Sequence, residues 1–478
     1  MSPHITLTTR TLGSYSGVSR VALDLVLALS RCAGTLAVRA WVPHALPSSV
    51  DGLALGPCRL LQLPLRDLAV EVLGGEAPPR SLLEHARISV AQRVGAVTLG
   101  RSPGTGPAPA LEVVNGLGAH ALFRRARSWD ERQAVPAQRP APSAIVVHES
   151  PRHFERFGVS PGDSPPSAAG RLAIAEMTRQ SGRPPPIITR QHGGDPARAL
   201  GLAPAASFER REEPRGLPLP LLAASRPRLD LSAAIAALRA YDYRVFVSDE
   251  CRREWNALAS LPEPYSLFIP NCAGEQRAAS VRARDRNELR RELGYPRDAV
   301  QLVCVGAVMA RKGQDLVLEA LRAAQDPKLR LDFCGPFAGD WAKRLLSDVV
   351  NSPLRSRVRF LGAVSDVYER IYAADALVLP SRAEAFPLVV LEAMALGTCV
   401  VAAAVDGVTE QIADGQSGLL FPGQNVSALA DTLRLLATQP AQRAALGEAG
   451  RARYLDRFQR AHQLARWSQA VATMLAPH

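Results

Sequence analysis

The amino-acid sequence predicts two α/β domains, each built on a parallel β-sheet with helices on both faces. The chain has 478 residues, and single hydrophobic cores rarely extend beyond about 250 to 300 residues, so two domains are expected. Hydrophobic residues make up 47% of the chain and charged residues 21%, which is ordinary for a globular protein. In the second half, short apolar segments alternate with amphipathic ones, as is typical of a doubly wound parallel sheet.

The first half opens with a predicted strand over residues 5–8, the loop LGSYSG and a helix. Gly17 lies at the start of this helix, where backbone amides can approach an anionic ligand. The stretch lacks the G-x-G-x-x-G spacing of a dinucleotide site, and an ordinary tight turn is the alternative. Further strands are predicted over 36–42, 59–63, 111–115 and 144–147, with a helix over 81–94.

His148 and Glu149 directly follow the predicted strand at 144–147. Ligands of open α/β sheets bind outside the carboxyl ends of the strands. His148 is therefore a candidate site residue, the alternative being a structural histidine held by hydrogen bonds.

Residues 158–230 are rich in proline, with the stretches GVSPGDSPPS, SGRPPP and EEPRGLPLP. Proline at this density interrupts helices and central strands, so an insertion or mobile loop on the first domain is expected. The H-G-G at 192–194 is interpreted as a chance tripeptide. Regular patterning resumes with strands at 243–247 and 267–269, and Ser248 is the predicted N-cap of the helix between them.

The second half predicts a doubly wound domain. Its strands are expected over 302–306, 329–335, 358–361, 376–379, 398–404 and 418–421. Its helices are expected over 314–324, 341–350, 366–374, 388–396 and 426–438, followed by C-terminal helices over 451–458 and up to residue 475.

Two glutamates, Glu384 and Glu392, stand eight positions apart across the junction between a predicted loop and helix. Pro387 suits the first helical position, where its missing N–H is not needed. The helix is apolar apart from Glu392, and burying an unpaired carboxylate is costly, so this residue should have solvent or a polar partner. Glu384 precedes a helix N-terminus, which favours anionic ligands. The alternative is a pair of solvated carboxylates.

Arg311 and Lys312 lie in the stretch VGAVMARKGQDL, between a predicted strand and the next helix. Cations in such a loop are placed to meet the diphosphate of a nucleotide. The alternative is a solvated surface pair.

The block around the two glutamates resembles the donor site of family 4 glycosyltransferases. Their signature E-x-F-G/P-L-x-x-x-E reads EAFPLVVLE here, followed by GTCVVAAAV and DGVTEQIADGQSGLLFP. The resemblance implies that Glu384 binds hydroxyls of the transferred sugar and Glu392 the ribose hydroxyls of the nucleotide. It also implies that the loop of Phe386, Pro387 and Leu388 faces the sugar and the diphosphate.

The stretch containing Lys312 resembles the family signature G-R-x-x-x-x-K-G. Gly306, Lys312 and Gly313 match it, whereas Ala307 stands where the family commonly has arginine. This departure leaves one cation fewer beside two phosphates. It predicts that Arg311 takes over part of the missing role, because a guanidinium can form bidentate bonds to phosphate.

The N-terminal glycine loop resembles the family motif G-G-V-x-R, in which backbone amides meet the donor phosphates or the acceptor. Gly17, Val18 and Arg20 match, with Ser16 in place of one glycine. The family often has a His-Asp pair near the sugar and the acceptor, which implies such a position for His148.

The resemblance implies the GT-B architecture, in which two Rossmann-like domains face a cleft. The expected organisation is an acceptor-side domain over 1–270 that carries the 158–230 insertion, a nucleotide-sugar domain over 271–455, and a C-terminal helix over 456–478 that crosses back. The implied reaction moves a sugar, with retention of configuration, from a nucleotide-sugar donor to a hydroxyl of a glycan or lipid-linked acceptor. Surface polysaccharide biosynthesis is the family's commonest setting. No cofactor or metal is expected, since cations of the protein would neutralise the phosphates.

The net charge of +12 would suit an anionic partner. Only three of the 57 basic residues are lysines, so the charge also fits a compositional preference for arginine. No nucleic-acid partner is expected. The seven cysteines show no Cys-x-x-Cys or Cys/His spacing, which favours a reducing compartment. Apolar runs are shorter than the roughly 20 residues of a membrane span, so a cytoplasmic location is expected, with peripheral contact to the inner membrane face.

Two other classes of function stay open at this point. A non-catalytic relative would bind a nucleotide sugar or a glycan without turnover. A basic nucleic-acid-binding protein would show a strongly salt-dependent affinity for DNA or RNA.

Overall fold

The structure is a computed structural model. It describes residues 3–11, 17–42, 49–50, 53–54, 58–62, 110–115, 142–154, 231–337 and 339–476. The helix expected over 81–94, residue 63 of the strand expected over 59–63, Ser16 of the glycine loop, and the proline-rich segment 158–230 with its H-G-G lie outside these residues.

The strands and helices are numbered in chain order within the described residues. The strands are β1 His4–Thr11, β2 Thr35–Val42, β3 Ser49–Val50, β4 Leu53–Ala54, β5 Cys58–Gln62, β6 Leu111–Asn115, β7 Ser143–Val147, β8 Tyr243–Phe246, β9 Ser266–Phe268, β10 Val300–Val305, β11 Leu329–Cys334, β12 Val358–Gly362, β13 Ala376–Leu379, β14 Cys399–Ala404 and β15 Leu419–Pro422. The helices are α1 Gly17–Cys32, α2 Leu231–Arg239, α3 Asp249–Ala259, α4 Glu275–Arg282, α5 Arg286–Glu292, α6 Gln314–Ala324, α7 Gly339–Val350, α8 Val367–Ala373, α9 Leu388–Leu396, α10 Val408–Gln411, α11 Val426–Thr438, α12 Pro440–Arg457 and α13 Arg460–Leu475.

The chain divides into two compact units. Among the described residues, the first unit contains everything up to Asn271 together with the last helix from Arg460. The second unit runs from Cys272 to Gln459.

The first unit is built on a seven-stranded sheet in the order β5-β2-β1-β6-β7-β8-β9, with parallel pairing throughout. Strands β6 and β7 are buried at every position, as expected for a sheet covered on both faces. The core joins Ile5 and Val113 of the sheet to Val26 of α1 and Trp467 of α13. Arg460 donates to Asp24 in a buried ion pair of 2.7 Å, which fixes α13 to α1.

The second unit is built on a six-stranded parallel sheet in the order β12-β11-β10-β13-β14-β15. The strand order reverses between β10 and β13, because β11 and β12 extend to one side of β10 while β14 and β15 extend beyond β13. In doubly wound sheets such a reversal opens a crevice at the carboxyl ends of the strands, where ligands bind. The loops that follow β10 and β13 are the ones that carry most of the predicted site residues.

The structure confirms the predicted alternation of strands and helices within the described residues. Helices α6, α9 and α11 begin and end where the sequence predicts. Ser248 caps α3 by accepting the Cys251 N–H at 3.1 Å. Helices α2, α4, α5 and α10 are not predicted by the sequence, and the penultimate helix α12 is longer than the predicted 451–458.

Pro387 is not the first helical residue, contrary to the prediction. It is the N-cap of α9, with an extended ψ of 125°. Its carbonyl accepts a hydrogen bond from the buried Gln411 amide at 3.1 Å, which holds the peptide out of the helical conformation. The fixed φ of proline is compatible with either position, so the sequence alone does not separate them.

Candidate functional site

The candidate site of the second unit lies where the loops after β10 and β13 meet. The two strands are paired in parallel at Leu302↔Ala376 and Val303↔Leu377, so the loops that follow them leave the same edge of the sheet. The ammonium of Lys312 from the first loop forms an ion pair with the carboxylate of Glu384 from the second. The sequence places these residues 72 positions apart, and the fold brings their charged atoms into contact.

Glu384 is 5% exposed and lies at the centre of the cluster. Its Oε1 accepts the Ser381 hydroxyl at 2.8 Å in addition to the Lys312 ammonium. Its Oε2 lies 3.6 Å from Nη1 of Arg311. Hydrogen bonds to charged groups are stronger than those between neutral groups, so this carboxylate is held in a defined position.

Arg311 lies with Lys312 in a short 3₁₀ turn, Ala310–Lys312. Its Nη1 also donates to the carbonyl of Ala383 at 2.7 Å, so the side chain reaches the second loop. The side chain is 22% exposed. Its bond to the second loop distinguishes it from a solvated surface arginine.

Burial lowers the pKa of the Lys312 ammonium below its ordinary value, and the charge of Arg311 acts in the same direction. The Glu384 carboxylate opposes both effects, because a neighbouring negative charge favours the protonated form. The protonated, charged form of the buried Lys312 is therefore favoured mainly by the anion beside it.

The turn between β10 and α6 is built on two glycines. Gly313 has a φ of +65° and ends the 3₁₀ turn. A Cβ at this position would lie 2.0 Å from the carbonyl oxygen of Pro380, so the two loops approach each other more closely than any side chain allows. Gly306 has a φ of +143°, and the Cε of Lys312 lies 3.5 Å from where its Cβ would be, so the lysine side chain runs alongside this glycine.

The predicted donor-binding segment lies at the start of α9. Phe386 is 4% exposed and makes an edge-to-face contact with Phe458 at a centroid distance of 5.7 Å. Pro387 caps the helix and Leu388 begins it. Glu392 lies further along the same helix and is 4% exposed, so it is not the solvated helix residue of the alternative interpretation.

The three predicted residues of the second unit's charged cluster, Arg311, Lys312 and Glu384, are in contact. His148 and Gly17 belong to the first unit. Gly17 begins α1 after β1, and His148 follows β7. His148 Nε2 lies 2.6 Å from Oδ1 of Asn115, the last residue of β6.

Burial lowers the pKa of His148 from 6.5 to about 4, so the imidazole is neutral at physiological pH. A neutral imidazole has one N–H, and the Asn115 oxygen, as assigned, takes it at Nε2. Nδ1 then carries a lone pair, and within the described residues it has no hydrogen-bond partner. His148 therefore has a buried acceptor nitrogen at the carboxyl end of the sheet.

Several contributing residues do not stand out in the sequence. Ser381 contacts the Glu384 carboxylate, and Asp406 accepts the backbone N–H of Glu384 at 2.8 Å while its own φ is +42°. Asn115 could have been found by the signal that indicated His148, a polar residue at the carboxyl end of a strand. Asp406 also follows a strand closely, and positive φ in a non-glycine residue is often associated with functional sites.

The described residues offer neither a metal centre nor a membrane span. No group of three or more His, Cys, Asp or Glu side chains in these ranges is arranged to hold a metal ion. No helix in the part of the chain that the structure describes is both long and apolar enough to cross a bilayer.

Residues 285–453 match the model of the family described as glycosyl transferases group 1. The chain is 40% identical over 176 residues to the D-inositol 3-phosphate glycosyltransferase of Actinosynnema mirum, covering 34% of this chain and 42% of that protein. It is 36% identical over 181 residues to the protein of the same name from Kribbella flavida, with the same two coverages. The chain therefore spans less than half the length of these curated relatives.

Solved structures extend the similarity over nearly the whole chain. HepE of Anabaena in complex with UDP-glucose has a TM-score of 0.60 at 17% identity, covering 98% of this chain and 99% of that one. WaaG, a glycosyltransferase involved in lipopolysaccharide biosynthesis, has a TM-score of 0.55 at 18% identity, covering 99% and 100%. At these identities the likeness concerns the fold, and it confirms the predicted class of two Rossmann-like α/β domains.

Proposed function

We propose, from the match of residues 285–453 to the glycosyl transferases group 1 family, that the chain is a retaining glycosyltransferase. Its donor is a nucleotide sugar, and its acceptor is a hydroxyl of a glycan or lipid-linked glycan in surface polysaccharide biosynthesis. The single observation that carries the proposal is the contact of Lys312 and Arg311 with Glu384 across the switch point of the second sheet.

The cations and the carboxylate have complementary parts in this reaction. The bond between the anomeric carbon and the diphosphate oxygen breaks, and its electron pair leaves with the diphosphate. Lys312 and Arg311 stabilise the negative charge that develops there. Glu384 accepts hydrogen bonds from hydroxyls of the transferred sugar and favours the positive charge that develops on the ring. A new bond then forms between the anomeric carbon and the acceptor oxygen, and the proton of the acceptor hydroxyl passes to the departing diphosphate.

Binding of the nucleotide is assigned to the start of α9. The dipole and the free N–H groups of a helix N-terminus favour an anion, which supports a diphosphate beside Phe386, Pro387 and Leu388. Glu392, on the same helix, is assigned to the ribose hydroxyls. Gly306 allows Lys312 to pass close to the backbone of the first loop.

The first unit supplies the acceptor side in this proposal. His148 has an acceptor nitrogen directly after β7, and Gly17 begins α1, the helix that follows β1. The His148 nitrogen is suited to a substrate hydroxyl, which can donate to it, and the start of α1 is suited to an anionic group such as a phosphate. No metal ion is needed for the transfer, because the protein supplies two cations at the diphosphate, so we expect activity to persist in the presence of EDTA.

The proposal is tested by incubating the protein with UDP-, GDP-, ADP- and dTDP-sugars and measuring the released nucleotide. We expect turnover of one donor class, and an NMR spectrum of the product that retains the anomeric configuration of the donor. A reaction without protein is the control for background hydrolysis. Binding of a donor without turnover, with candidate glycan acceptors present, would favour the non-catalytic relative, and an inverted product would exclude the retaining mechanism.

A further inference from the structure

We propose that Arg382 is a positioning residue of the donor site, which acts by bracing the loop of Arg311 and Lys312 against the loop of Glu384. The proposal rests on the proposed function for its catalytic consequence. Its structural core is a bidentate ion pair between Arg382 and Asp315, two residues that lie in different loop-helix segments.

The ion pair has the geometry of a strong interaction. Nη1 of Arg382 donates to Oδ1 of Asp315 at 2.9 Å, and Nη2 donates to Oδ2 at 2.6 Å. The arginine side chain is 13% exposed and the aspartate 28%. Parallel bonds between a planar guanidinium and a carboxylate fix orientation as well as distance. Asp315 belongs to the first turn of α6, so the pair ties the second loop to the helix that follows the first.

Three more hydrogen bonds complete the brace. Nη1 of Arg382 also donates to the carbonyl of Ala310 at 2.6 Å, and its backbone N–H donates to the carbonyl of Arg311 at 2.8 Å. In the opposite direction, the Arg311 side chain donates to the carbonyl of Ala383 at 2.7 Å. Each loop thus donates to and accepts from the other at residues that flank Lys312 and Glu384.

The brace matters because the sheet does not extend to these residues. Strands β10 and β13 are in register at Leu302↔Ala376 and Val303↔Leu377, and Lys312 lies nine residues beyond the second of these pairs. The separation of the cations from Glu384 is therefore set by contacts between the loops. Small displacements of groups that bind a reacting substrate can lower the rate by about 100-fold.

Arg382 does not serve as a further phosphate cation in this arrangement. Its guanidinium donates to the Asp315 carboxylate, to a backbone carbonyl and, at 3.4 Å, to the side-chain oxygen of Gln424. The charge of Asp315 neutralises it locally. In the proposal Arg382 acts through Arg311 and Lys312 and does not touch the substrate, so it is a positioning residue and not a catalytic one.

The test uses the substitutions Arg382→Gln and Asp315→Asn, singly and together. Each single change removes the bidentate pair, so we expect about a 10-fold lower kcat/KM for either one and no further loss in the double variant. Additive losses would mean that the two residues act separately.

A second readout does not depend on turnover. The chain has only three lysines, Lys312, Lys328 and Lys343, so acetylation by a water-soluble reagent can be mapped to each by peptide mass spectrometry. We expect Arg382→Gln to increase the reactivity of Lys312 several-fold relative to the other two, because the ammonium would no longer be held against Glu384. Unchanged reactivity of Lys312 together with unchanged kcat/KM would overturn the proposal.

The matched control is Arg359→Gln. Arg359 also forms a bidentate pair, with both bonds to Asp332 at 2.6 Å, and is 15% exposed. It joins β12 to β11 and takes no part in the two loops. We expect it to lower Tm without changing Lys312 reactivity or kcat/KM. If both variants changed all three quantities alike, Arg382 would be merely structural. If the parent protein turned over no donor, the proposed function would fail, and Lys312 reactivity would still decide whether the brace exists.

Discussion

At the scale of single residues, an anion of the protein itself, the Glu384 carboxylate, lies beside the two cations of the charged cluster. The carboxylate of Glu384 contacts Lys312 and lies near Arg311, the two cations that we assign to the donor diphosphate. A diphosphate that approaches these cations therefore competes with an anion of the protein. Under the proposed function, this binding would release the carboxylate to the sugar hydroxyls and would couple recognition of the phosphates to recognition of the sugar.

This coupling predicts an unusual effect of Glu384→Gln. We expect nucleoside diphosphate to bind about 3- to 30-fold more tightly, corresponding to about 0.7 to 2 kcal/mol, because the competing charge is gone while the hydrogen-bonding shape remains. Turnover of the nucleotide sugar should fall, since an amide is a weaker acceptor for the sugar. The protein should also lose stability, because a partly buried Lys312 loses its counter-charge.

Calorimetric titration with the nucleoside diphosphate of the active donor measures the first effect, and thermal unfolding measures the last. Glu319→Gln is the control, because Glu319 is an exposed residue of α6. Equal or weaker binding of nucleoside diphosphate by Glu384→Gln would show that the carboxylate does not compete with the phosphates.

Arg311 and Lys312 carry a second prediction. The sequence has Ala307 where the resembled family commonly has arginine, and Arg311 contacts the same carboxylate region as Lys312. We expect Arg311→Ala and Lys312→Ala each to lower kcat/KM by roughly 10- to 100-fold, on the basis of about 1.5 to 3 kcal/mol for one charge-assisted hydrogen bond.

Steady-state kinetics with the active donor provides the measurement. Arg322→Ala is the control, because Arg322 lies on α6 in an exposed ion pair with Asp348, and surface changes usually stay within about 0.5 kcal/mol. If kcat/KM of the Arg311→Ala variant stayed within twofold of the parent, Arg311 would not compensate for the arginine that Ala307 replaces.

At the scale of elements, the turn between β10 and α6 depends on Gly313. Its φ is +65°, and the Pro380 oxygen lies 2.0 Å from the place that a Cβ would occupy, so a side chain is excluded. We expect Gly313→Ala to lower Tm and to weaken binding of nucleoside diphosphate, because the turn that carries Arg311 and Lys312 must move away from the second loop. A residue in this conformation costs about 1 to 2 kcal/mol in addition to the clash.

A second glycine separates these two contributions. Gly294 has nearly the same φ, +67°, and no atom lies within 4 Å of its Cβ position. Gly294→Ala should therefore show the backbone cost alone, with unchanged affinity for nucleoside diphosphate. Similar changes in both variants would mean that the close approach of the loops is not needed for binding.

Local patterns were sufficient to predict most of the second unit. Helix α9 is bounded by Pro387 and by Gly397 in a left-handed conformation, and both are signals that a single sequence carries. Strands such as β13 are short apolar runs that are buried at every position. Helices α4 and α5 were missed because their residues are mostly polar, with only Ala278, Val281 and Leu289 buried.

The candidate site was less accessible to prediction, because its contacts join distant parts of the chain. The Arg382–Asp315 pair spans 67 positions, and the contact of Glu384 with Asp406 spans 22. Periodicity and capping signals report on neighbours within a few residues and contain no information on such pairs. The family resemblance identified the residues that were assigned to ligands, but it did not identify Arg382, Asp315 or Asp406, which hold them in place.

At the scale of the whole molecule, both units follow one plan. The strand order reverses between β1 and β6 in the first sheet and between β10 and β13 in the second. In the first unit, Asn115 is the last residue of β6 beside the reversal, Gly17 begins the helix that follows β1, and His148 follows β7. In each unit, candidate residues therefore follow strands beside the reversal, where a doubly wound sheet binds ligands.

The charge of the chain leads to a prediction for the whole molecule. The net charge is +12 at pH 7, and 54 of the 57 basic residues are arginines. Basic residues near an anionic bilayer contribute about 1 kcal/mol each, so we expect the protein to float with phosphatidylglycerol vesicles at low ionic strength. Under the proposed function, such contact would bring the protein to the membrane surface that carries its lipid-linked acceptor.

Salt and lipid composition distinguish this attachment from other kinds of binding. The Debye length falls from about 30 Å at 0.01 M salt to about 3 Å at 1 M, so the protein should leave the anionic vesicles as salt is raised. Vesicles of phosphatidylcholine alone should not bind it at either concentration. Binding to phosphatidylcholine would indicate an apolar contact instead of an electrostatic one. Failure to float with anionic vesicles at about 0.01 M salt would leave the arginine content as a property of composition, because an attraction carried by net charge is strongest when screening is weakest.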